Sequence, residues 1–337
     1  MNKPVSVLHV CREVSIRAIK EVLTSQRDPR INTHLLYKQS RQPEVQGYIQ
    51  STSQWVDPVQ LEFHLTTGMR RCDVIHVHTT FINVMLIRDV VTIARRLPEG
   101  NRPRIVWDMH DMDWGDDEAV TRLIPYFEGV DSVIVPSYGY KTYVDGLVPY
   151  EGKCTVVYSM VPKILYPRLS FRAHSIDCVA LATGVCLPGN GPIYRDYKEV
   201  QASLRVPMMI FQGNSDPELQ MHYDNLMGIR RYPKLLEELS QYKMGYAGAA
   251  NSRHDIDICV TNKFFEYIAA DLPIITYKSD EMRRFMLEYW YGCDFKALDD
   301  EEGCIYPDPL PDRFDFTMET QIPKLLEVYS DTQGESL

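Results

Sequence analysis

The sequence lacks several features that would place it in a specialised class of protein. Its eight cysteines are scattered singly and no CxxC pair occurs, which excludes zinc-ribbon and thiol-redox motifs. No run approaches the roughly 18 uncharged apolar residues of a membrane-spanning helix. The first residues, MNKPVSVLHV, have neither a long hydrophobic stretch nor a cleavage site. We therefore expect no secretory signal, and a cytoplasmic protein with reduced cysteines.

Positive charge is scarce relative to negative charge. The chain carries 36 Lys and Arg against 46 Asp and Glu, a net charge of −10. Residues 1–165 hold 19 of each sign, so the acidic excess lies entirely in the C-terminal half. The basic stripe typical of a nucleic-acid-binding protein is absent. The first 50 residues, with eight basic and four acidic side chains, permit a nucleic-acid acceptor without arguing for one.

What the sequence does contain is a regular alternation of two patterns. Apolar, β-branched runs such as VSVLHV (5–10), DVIHVHT (73–79) and RIVWDMH (104–110) are typical of buried strands. Segments of helical period separate them, for example REVSIRAIKEVLTS (12–25) and NVMLIRDVVTIARRL (83–97). Near-continuous Val/Ile runs between helices indicate a parallel sheet covered on both faces. This pattern predicts a doubly wound, Rossmann-like α/β fold.

The length of 337 residues predicts two such domains. The alternation stops in KILYPRLSFRAHS (163–175), which has no clear period, and then resumes. We expect the two sheets to face each other across a cleft, with one substrate bound beyond the strand ends of each domain. The predicted divisions are an N-terminal domain over 1–165, a C-terminal domain over 166–315, a helix over 316–330 that could pack back on the first domain, and a frayed tail over 331–337.

The segment TNKFFEYIAADLPIITY (261–277) carries the most informative chemistry. Its apolar side chains form one helical stripe, and Asn262, Lys263 and Glu266 share the other face in the first turns. Backbone N–H groups and the helix dipole favour an anion there. A carboxylate can accept hydrogen bonds from two ribose hydroxyls, and a lysine beside it can bind a phosphate. A solvated helix face with a Lys263–Glu266 ion pair would explain the same residues.

The segment resembles the nucleotide-sugar motif of GT-B glycosyltransferases, particularly glycosyltransferase family 4 and its relatives. Three further segments resemble parts of those enzymes in the expected order, namely DSVIVPSYGYKTYV (131–144), CTVVYSMVP (154–162) and YPKLLEELSQYKMGYAG (232–248). The resemblance covers most of the chain and is strong only over residues 231–290. It implies the GT-B fold, with an acceptor-side first domain and a donor-side second domain.

Three positions depart from the family pattern. Ile258 stands where many members have a second Glu, Ser159 stands at a usual Asn, and Asp271 replaces a usual Gly after the helix. Asp can still adopt the left-handed conformation of a helix C-terminus at a small cost. Ile258 puts the detailed family-4 mechanism in doubt, and it keeps open a non-catalytic nucleotide-sugar-binding relative.

The resemblance also implies a set of donor-binding residues. Glu266 matches the residue that holds the ribose of the donor, and Lys263 and Arg195 are the candidates to meet the diphosphate. The remaining donor-side candidates are Asn262, Gly213, Asn214 and Tyr246.

The stretch IVWDMHDMDW (105–114) supports two incompatible interpretations. With His76 and His78 upstream, its Asp108, His110, Asp111 and Asp113 are typical of a metal-dependent hydrolase.

WDMHD also resembles the Y-D-hydrophobic-H-D segment at a central strand end of family-4-like enzymes. That resemblance implies that His110 contacts the sugar or the acceptor, that Asp111 and Asp108 support it, and that no metal is needed. Two histidines at other predicted strand ends, His78 and His9, are further acceptor-side candidates.

The sequence thus predicts a glycosyltransferase that moves a sugar from a nucleoside diphosphate sugar to an acceptor hydroxyl. The resemblance favours a retaining, metal-independent reaction without a cofactor. The acceptor stays open among a glycan, a lipid, a small molecule and a modified DNA base, the last of which would need base extrusion. The metal-dependent hydrolase and the non-catalytic relative are the alternatives.

Overall fold

The chain folds into two compact units, Met1–Pro162 with Met318–Leu337, and Lys163–Thr317. We analysed a computed structural model. It describes residues 3–40, 46–79, 85–110, 124–147, 154–169, 173–183, 185, 187, 195–204, 206–212, 217–228, 230–248, 258–276, 279–289, 293–294 and 311–330.

The first unit contains a seven-stranded sheet in the order β3-β2-β1-β4-β5-β6-β7. All of its neighbouring strands run parallel. The order reverses direction beside β1, as it does in doubly wound folds. The strands are β1 (Val5–Val14), β2 (Ile31–Ser40), β3 (Thr52–Gln54), β4 (Val74–Thr79), β5 (Arg104–Met109), β6 (Ser132–Val135) and β7 (Cys154–Val156).

Helices follow the strands of this sheet. They are α1 (Ile16–Ser25), α2 (Pro58–Met69), α3 (Met85–Ala94), α4 (Ile124–Phe127) and α5 (Tyr138–Leu147). The sequence predicted a helix from residue 12, but β1 continues to Val14, because residues 11–14 pair with β2. Helix α1 begins only after Ser15, whose hydroxyl accepts a hydrogen bond from the N–H of Ala18 at 3.3 Å.

The second unit contains a five-stranded sheet in the order β12-β11-β10-β8-β9, again with parallel pairs. Its strands are β8 (Ile176–Leu181), β9 (Met208–Ile210), β10 (Tyr242–Tyr246), β11 (Ile274–Thr276) and β12 (Cys293–Asp294). Its helices are α6 (Lys198–Ser203), α7 (Pro217–His222), α8 (Lys234–Leu239), α9 (Asn262–Ala269) and α10 (Asp280–Tyr289). The predicted α/β class with two Rossmann-like units is confirmed.

Helix α9 packs through the apolar stripe that the sequence predicted. Phe264, Phe265 and Ile268 are fully buried. The helix ends at Asp271, which has a φ of 63°. The N–H of Asp271 donates to the Ile268 carbonyl and that of Leu272 donates to the Tyr267 carbonyl, both at 2.9 Å. This is the paired hydrogen bonding of a Schellman motif, formed here without a glycine.

The last helix, α11 (Ile322–Tyr329), belongs to the first unit. The sequence predicted a helix over 316–330, but Met318–Gln321 forms a 3-10 turn and the α-helix starts four residues later. Leu325 is fully buried, and the Arg104 guanidinium donates to the Val328 carbonyl at 2.7 Å. The predicted tail, 331–337, lies outside the described residues. Among the described helices, none has the length and apolar content needed to span a membrane.

Candidate active site

In the second unit, Lys263 lies in the first turn of α9 with its charged end held inside the protein. Only 9% of the residue is exposed. Its Nζ donates to the Gly248 carbonyl at 3.0 Å and to the Tyr197 hydroxyl at 3.2 Å. The same Nζ lies 5.4 Å from the centre of the Tyr197 ring. Lys263 is therefore fixed in place by partners from outside its own helix.

The pKa of Lys263 is lowered to about 7. Burial is the largest cause, since it disfavours the ammonium form, and the charge of Arg195 lowers the pKa further. Cys259 and Glu266 act in the opposite direction. Arg195 itself is exposed. Two basic side chains thus lie close enough to disfavour each other's charge, an arrangement that an anion between them would relieve.

Glu266, one turn further along α9, is also buried, with 6% exposed. Its Oε1 accepts a short hydrogen bond from the Tyr232 hydroxyl. Burial and the Glu266 carboxylate together raise the pKa of Tyr232 well above its usual range, so the hydroxyl stays a donor. The alternative of a solvated helix face with a Lys263–Glu266 ion pair does not fit, because both side chains are buried and each has a different hydrogen-bonding partner.

The other donor-side predictions have mixed outcomes in position. Asn262 is half-buried at the start of α9. Tyr246 is fully buried at the end of β10, and its carbonyl accepts a hydrogen bond from the Tyr267 hydroxyl at 3.1 Å. Its side chain packs edge-on against Tyr197, with ring centres 6.0 Å apart. Gly213 and Asn214 lie outside the described residues. The structure therefore gathers Lys263, Glu266, Arg195, Asn262 and the Tyr246 backbone around the start of α9 and the end of β10.

In the first unit, His110 immediately follows β5 at the carboxyl end of the sheet, with 5% exposed. Its Nε2 lies 3.3 Å from the hydroxyl of Ser15, and its backbone N–H donates to the Thr79 carbonyl at 3.2 Å. Its Nδ1 lies 3.8 Å from Oδ1 of Asp108. The His110 ring is thus placed between the start of α1 and the carboxylate beneath it.

Asp108 is fully buried and is bound by Arg17 of α1. The Arg17 Nε lies 3.0 Å and 2.8 Å from the two carboxylate oxygens, and Nη2 donates to the Val157 carbonyl at 3.0 Å. Burial would raise the pKa of Asp108, but the charge of Arg17 and the nearby histidines hold it well below its usual range. Asp108 is therefore an anion that supports His110 from inside, without access to a substrate. Asp111 and Asp113 lie outside the described residues.

His9 and His78, which the sequence placed on the acceptor side, lie in the interior with His76. Strand register sets this grouping, because His9 is opposite His76 and His78 is opposite Asp108. His78 Nε2 lies 2.9 Å from His9 Nδ1. His9 is 0% and His78 3% exposed, so the structure surrounds both with protein groups in place of the predicted acceptor. Burial lowers the pKa of all three histidines, which favours neutral rings.

Sequence reasoning missed several members of these two groups of residues. Arg17 and Glu21 lie four residues apart on α1 and are both fully buried. The signal was their spacing, since both fall on one face of a helix whose apolar residues were taken to be the only buried ones. Tyr232 and Tyr197 carried no motif, and only the fold brings them to Glu266 and Lys263.

A scan against protein-family profiles and a search of curated proteins both found no match to this chain. Solved structures do match. Anabaena Alr3699/HepE in complex with UDP-glucose is 10% identical, with a TM-score of 0.65 over 98% of this chain and 93% of that chain. An α-glucosyltransferase in complex with UDP and a 13-mer DNA containing an HMU base is 10% identical, with a TM-score of 0.60 over 98% and 91%.

A further match is to S. aureus MnaA in complex with UDP, which is 11% identical with a TM-score of 0.54 over 99% of each chain. At such low identity these likenesses show the fold alone. They establish that the chain has the GT-B type of architecture, with two Rossmann-like units spanning nearly its whole length.

Proposed function

We propose that this protein is a glycosyltransferase that takes a sugar from a nucleoside diphosphate sugar. The observation that carries the proposal is the pair of buried side chains in α9, Lys263 and Glu266, with the basic Arg195 close to the lysine. A solvated helix has no physical reason to bury a lysine and a glutamate one turn apart, since desolvating charge costs stability. A ligand that carries both an anion and hydroxyl groups supplies the missing partners.

The donor fits this pair in one orientation. The ribose hydroxyls donate to Glu266, whose second oxygen is not used by Tyr232. The diphosphate lies against Lys263 and Arg195, near the positive end of the helix dipole. These cations then stabilise the charge that develops on the diphosphate as the glycosidic bond to it breaks, so this step needs no metal. UDP is the nucleotide to test first, because the similar HepE, MnaA and α-glucosyltransferase structures contain it.

The first unit supplies His110 as the group for the sugar or the acceptor. Its ring is partly accessible and is positioned by Ser15 and Asp108. Asp108 is a positioning residue in this proposal, because Arg17 and burial separate it from any substrate. A retaining outcome agrees with this assignment, since the described residues around His110 offer no exposed carboxylate as a strong base.

A modified DNA base is the acceptor that one comparison favours. The α-glucosyltransferase that shares this fold was solved with DNA containing an HMU base. The hydroxymethyl group of such a base is an acceptor hydroxyl of the required kind. The proposal for the acceptor is tested separately from that for the donor, by offering the protein HMU-containing DNA, unmodified DNA of the same sequence and simple sugars, and by measuring sugar transfer.

Donor binding is tested by thermal shift with nucleoside diphosphates and their sugars. We expect UDP or UDP-glucose to raise the unfolding temperature, because a ligand at 100 times its Kd stabilises the folded state by about 2.7 kcal/mol. Glu266→Ala removes the acceptor of the ribose hydrogen bonds, so we expect binding roughly 10- to 100-fold weaker. Glu237→Ala, at an exposed position on α8, is the matched control and should bind like the wild type.

His110→Ala separates binding from catalysis in the same assay. It should keep the thermal shift with UDP and lose sugar transfer. If no nucleoside diphosphate or nucleotide sugar stabilises the wild-type protein, the glycosyltransferase assignment is wrong.

A further inference from the structure

Four side chains in the interior of the first unit bring nitrogen and oxygen atoms together around one point. We call them the buried His–carboxylate cluster, and they are Glu21, His76, His78 and Asp108. One ligand atom from each lies within 4.8 Å of the others. We propose that this cluster binds a divalent transition metal ion, for which zinc is the best match, as a structural site separate from the donor-binding chemistry.

The separations inside the cluster are those of a coordination shell. Oε2 of Glu21 lies 3.6 Å from Nε2 of His76 and 4.0 Å from Nδ1 of His78. Oδ2 of Asp108 lies 4.0 Å from the same His76 nitrogen and 3.1 Å from the same His78 nitrogen. A tetrahedral zinc ion with bonds of about 2.0–2.2 Å separates its ligand atoms by about 3.3–3.6 Å. Shifts of a few tenths of an ångström would complete the geometry.

The histidines are held in the tautomer that metal binding requires. Nδ1 of His76 lies 2.8 Å from the Tyr329 hydroxyl, and Nε2 of His78 lies 2.9 Å from Nδ1 of His9. If these outer nitrogens carry the protons, each inner nitrogen presents a lone pair to the cluster. Histidines that bind metals commonly donate their other N–H to such an outer partner, which fixes the ring. Both rings of the cluster have one.

The cluster also contains polar atoms that lack a hydrogen bond. Both carboxylate oxygens of Glu21 and Nε2 of His76 are buried and have no hydrogen-bonding partner, although Arg17 lies 3.3 Å from one of the oxygens. Leaving buried acceptors unmatched costs stability, and these acceptors point toward one another. A cation between them would satisfy all three at once.

Arg17 limits which metal and which role are possible. It binds both oxygens of Asp108, so a metal would take Oδ2 while the guanidinium keeps Oδ1 at 3.0 Å. Two nitrogens and two oxygens in a tetrahedron suit zinc better than magnesium or calcium, which prefer six or more oxygens. The ligands are all 0–3% exposed, so no position is open to a substrate. This distinguishes the site from the hydrolase centre of the sequence-based alternative, which would use His110.

The test measures metal content in untagged, full-length protein purified without chelator. We expect about one zinc per chain by elemental analysis. Co(II) replacement should give the visible absorption bands of a tetrahedral ion. His76→Gln should lose the metal, and His34→Gln should keep it. His34 is the matched control, because it lies in the same unit but binds Ser51 and Ser53.

A second variant keeps the test decisive if His76→Gln fails to fold. Tyr329→Phe removes only the hydroxyl that orients His76, and we expect metal affinity to fall about 10- to 100-fold. Protein without metal, whose unfolding temperature is the same with zinc and with chelator, would overturn the proposal. So would metal that remains at wild-type level in both His76→Gln and Tyr329→Phe. Binding of UDP by the second unit is measured independently, so either proposal can fail alone.

Discussion

Lys263 is the residue whose chemistry depends most directly on pH. With a pKa of about 7 it is largely neutral in the free protein at pH 8, whereas a lysine in an unfolded chain is charged there. The unfolded chain therefore binds more protons between about pH 7 and pH 10. The contribution of Lys263 makes the free energy of unfolding rise with pH across that window.

The same pKa predicts that nucleotide binding takes up a proton. A diphosphate beside Lys263 favours the ammonium form, so we expect uptake approaching one proton per UDP at pH 8 and less at pH 6. Calorimetry in two buffers of different ionisation enthalpy measures this number. Lys263→Met should bind UDP more weakly and take up no proton. Lys243→Met, a control at an exposed lysine paired with Asp177, should behave like the wild type. Equal proton uptake in Lys263→Met and the wild type would contradict the assignment.

At the scale of single elements, α9 shows how a departure from a family pattern is accommodated. The position after the helix needs a left-handed residue, which the related motif supplies with glycine, and here Asp271 takes that conformation at φ 63°. The expectation that Asp could do so is confirmed. The backbone hydrogen bonds of the cap are complete, so the cost is confined to the strain of one residue.

Asp271→Gly should therefore stabilise the second unit. We expect a gain of about 1 kcal/mol or less, because relief of the strain is partly offset by the greater freedom of glycine in the unfolded chain. Asp271→Ala keeps the Cβ atom and loses the polar side chain, so it should destabilise. Urea denaturation of the three proteins gives the comparison. A glycine variant less stable than the wild type would show that the contact of Asp271 with His174, at 3.8 Å, outweighs the strain.

At the scale of the whole molecule, the chain leaves the first unit at Pro162 and returns to it at Met318. The returning helix α11 brings Tyr329 to His76, and so it completes the surroundings of the buried His–carboxylate cluster. Residues more than 250 positions apart in sequence thus share one interior. The stability of the first unit should depend on the last helix of the chain.

Leu325→Ala tests this dependence. The side chain is fully buried, so the substitution should cost about 2–5 kcal/mol. Hydrogen exchange should increase in β4 and β5 of the first unit and stay unchanged in β10 and β11 of the second. The exposed Glu327→Ala, on the same helix, should change stability by no more than about 0.5 kcal/mol. Increased exchange confined to the second unit would assign α11 to the wrong unit.

The sequence by itself determined the α/β class, most strands and helices, and the candidate segment around Glu266. These depend on local periodicity and on short motifs, which neighbouring residues express without reference to the rest of the chain. The apolar stripe of α9 followed directly from its spacing, and it is buried as predicted. The errors at element boundaries, such as the start of α1, arose where strand pairing with β2 overrode a helical pattern.

Only the tertiary structure decided which polar residues meet. Strand order places β1 between β2 and β4, and this brings His9 beside His76. The fold also buries Arg17 and Glu21, which a helix drawn from sequence alone would place in solvent. Burial of charge depends on neighbours distant in sequence, so no local pattern reports it. The sequence showed a His/Asp-rich stretch, and the fold separated it into a positioned His110 and an interior cluster with the donor atoms of a metal site.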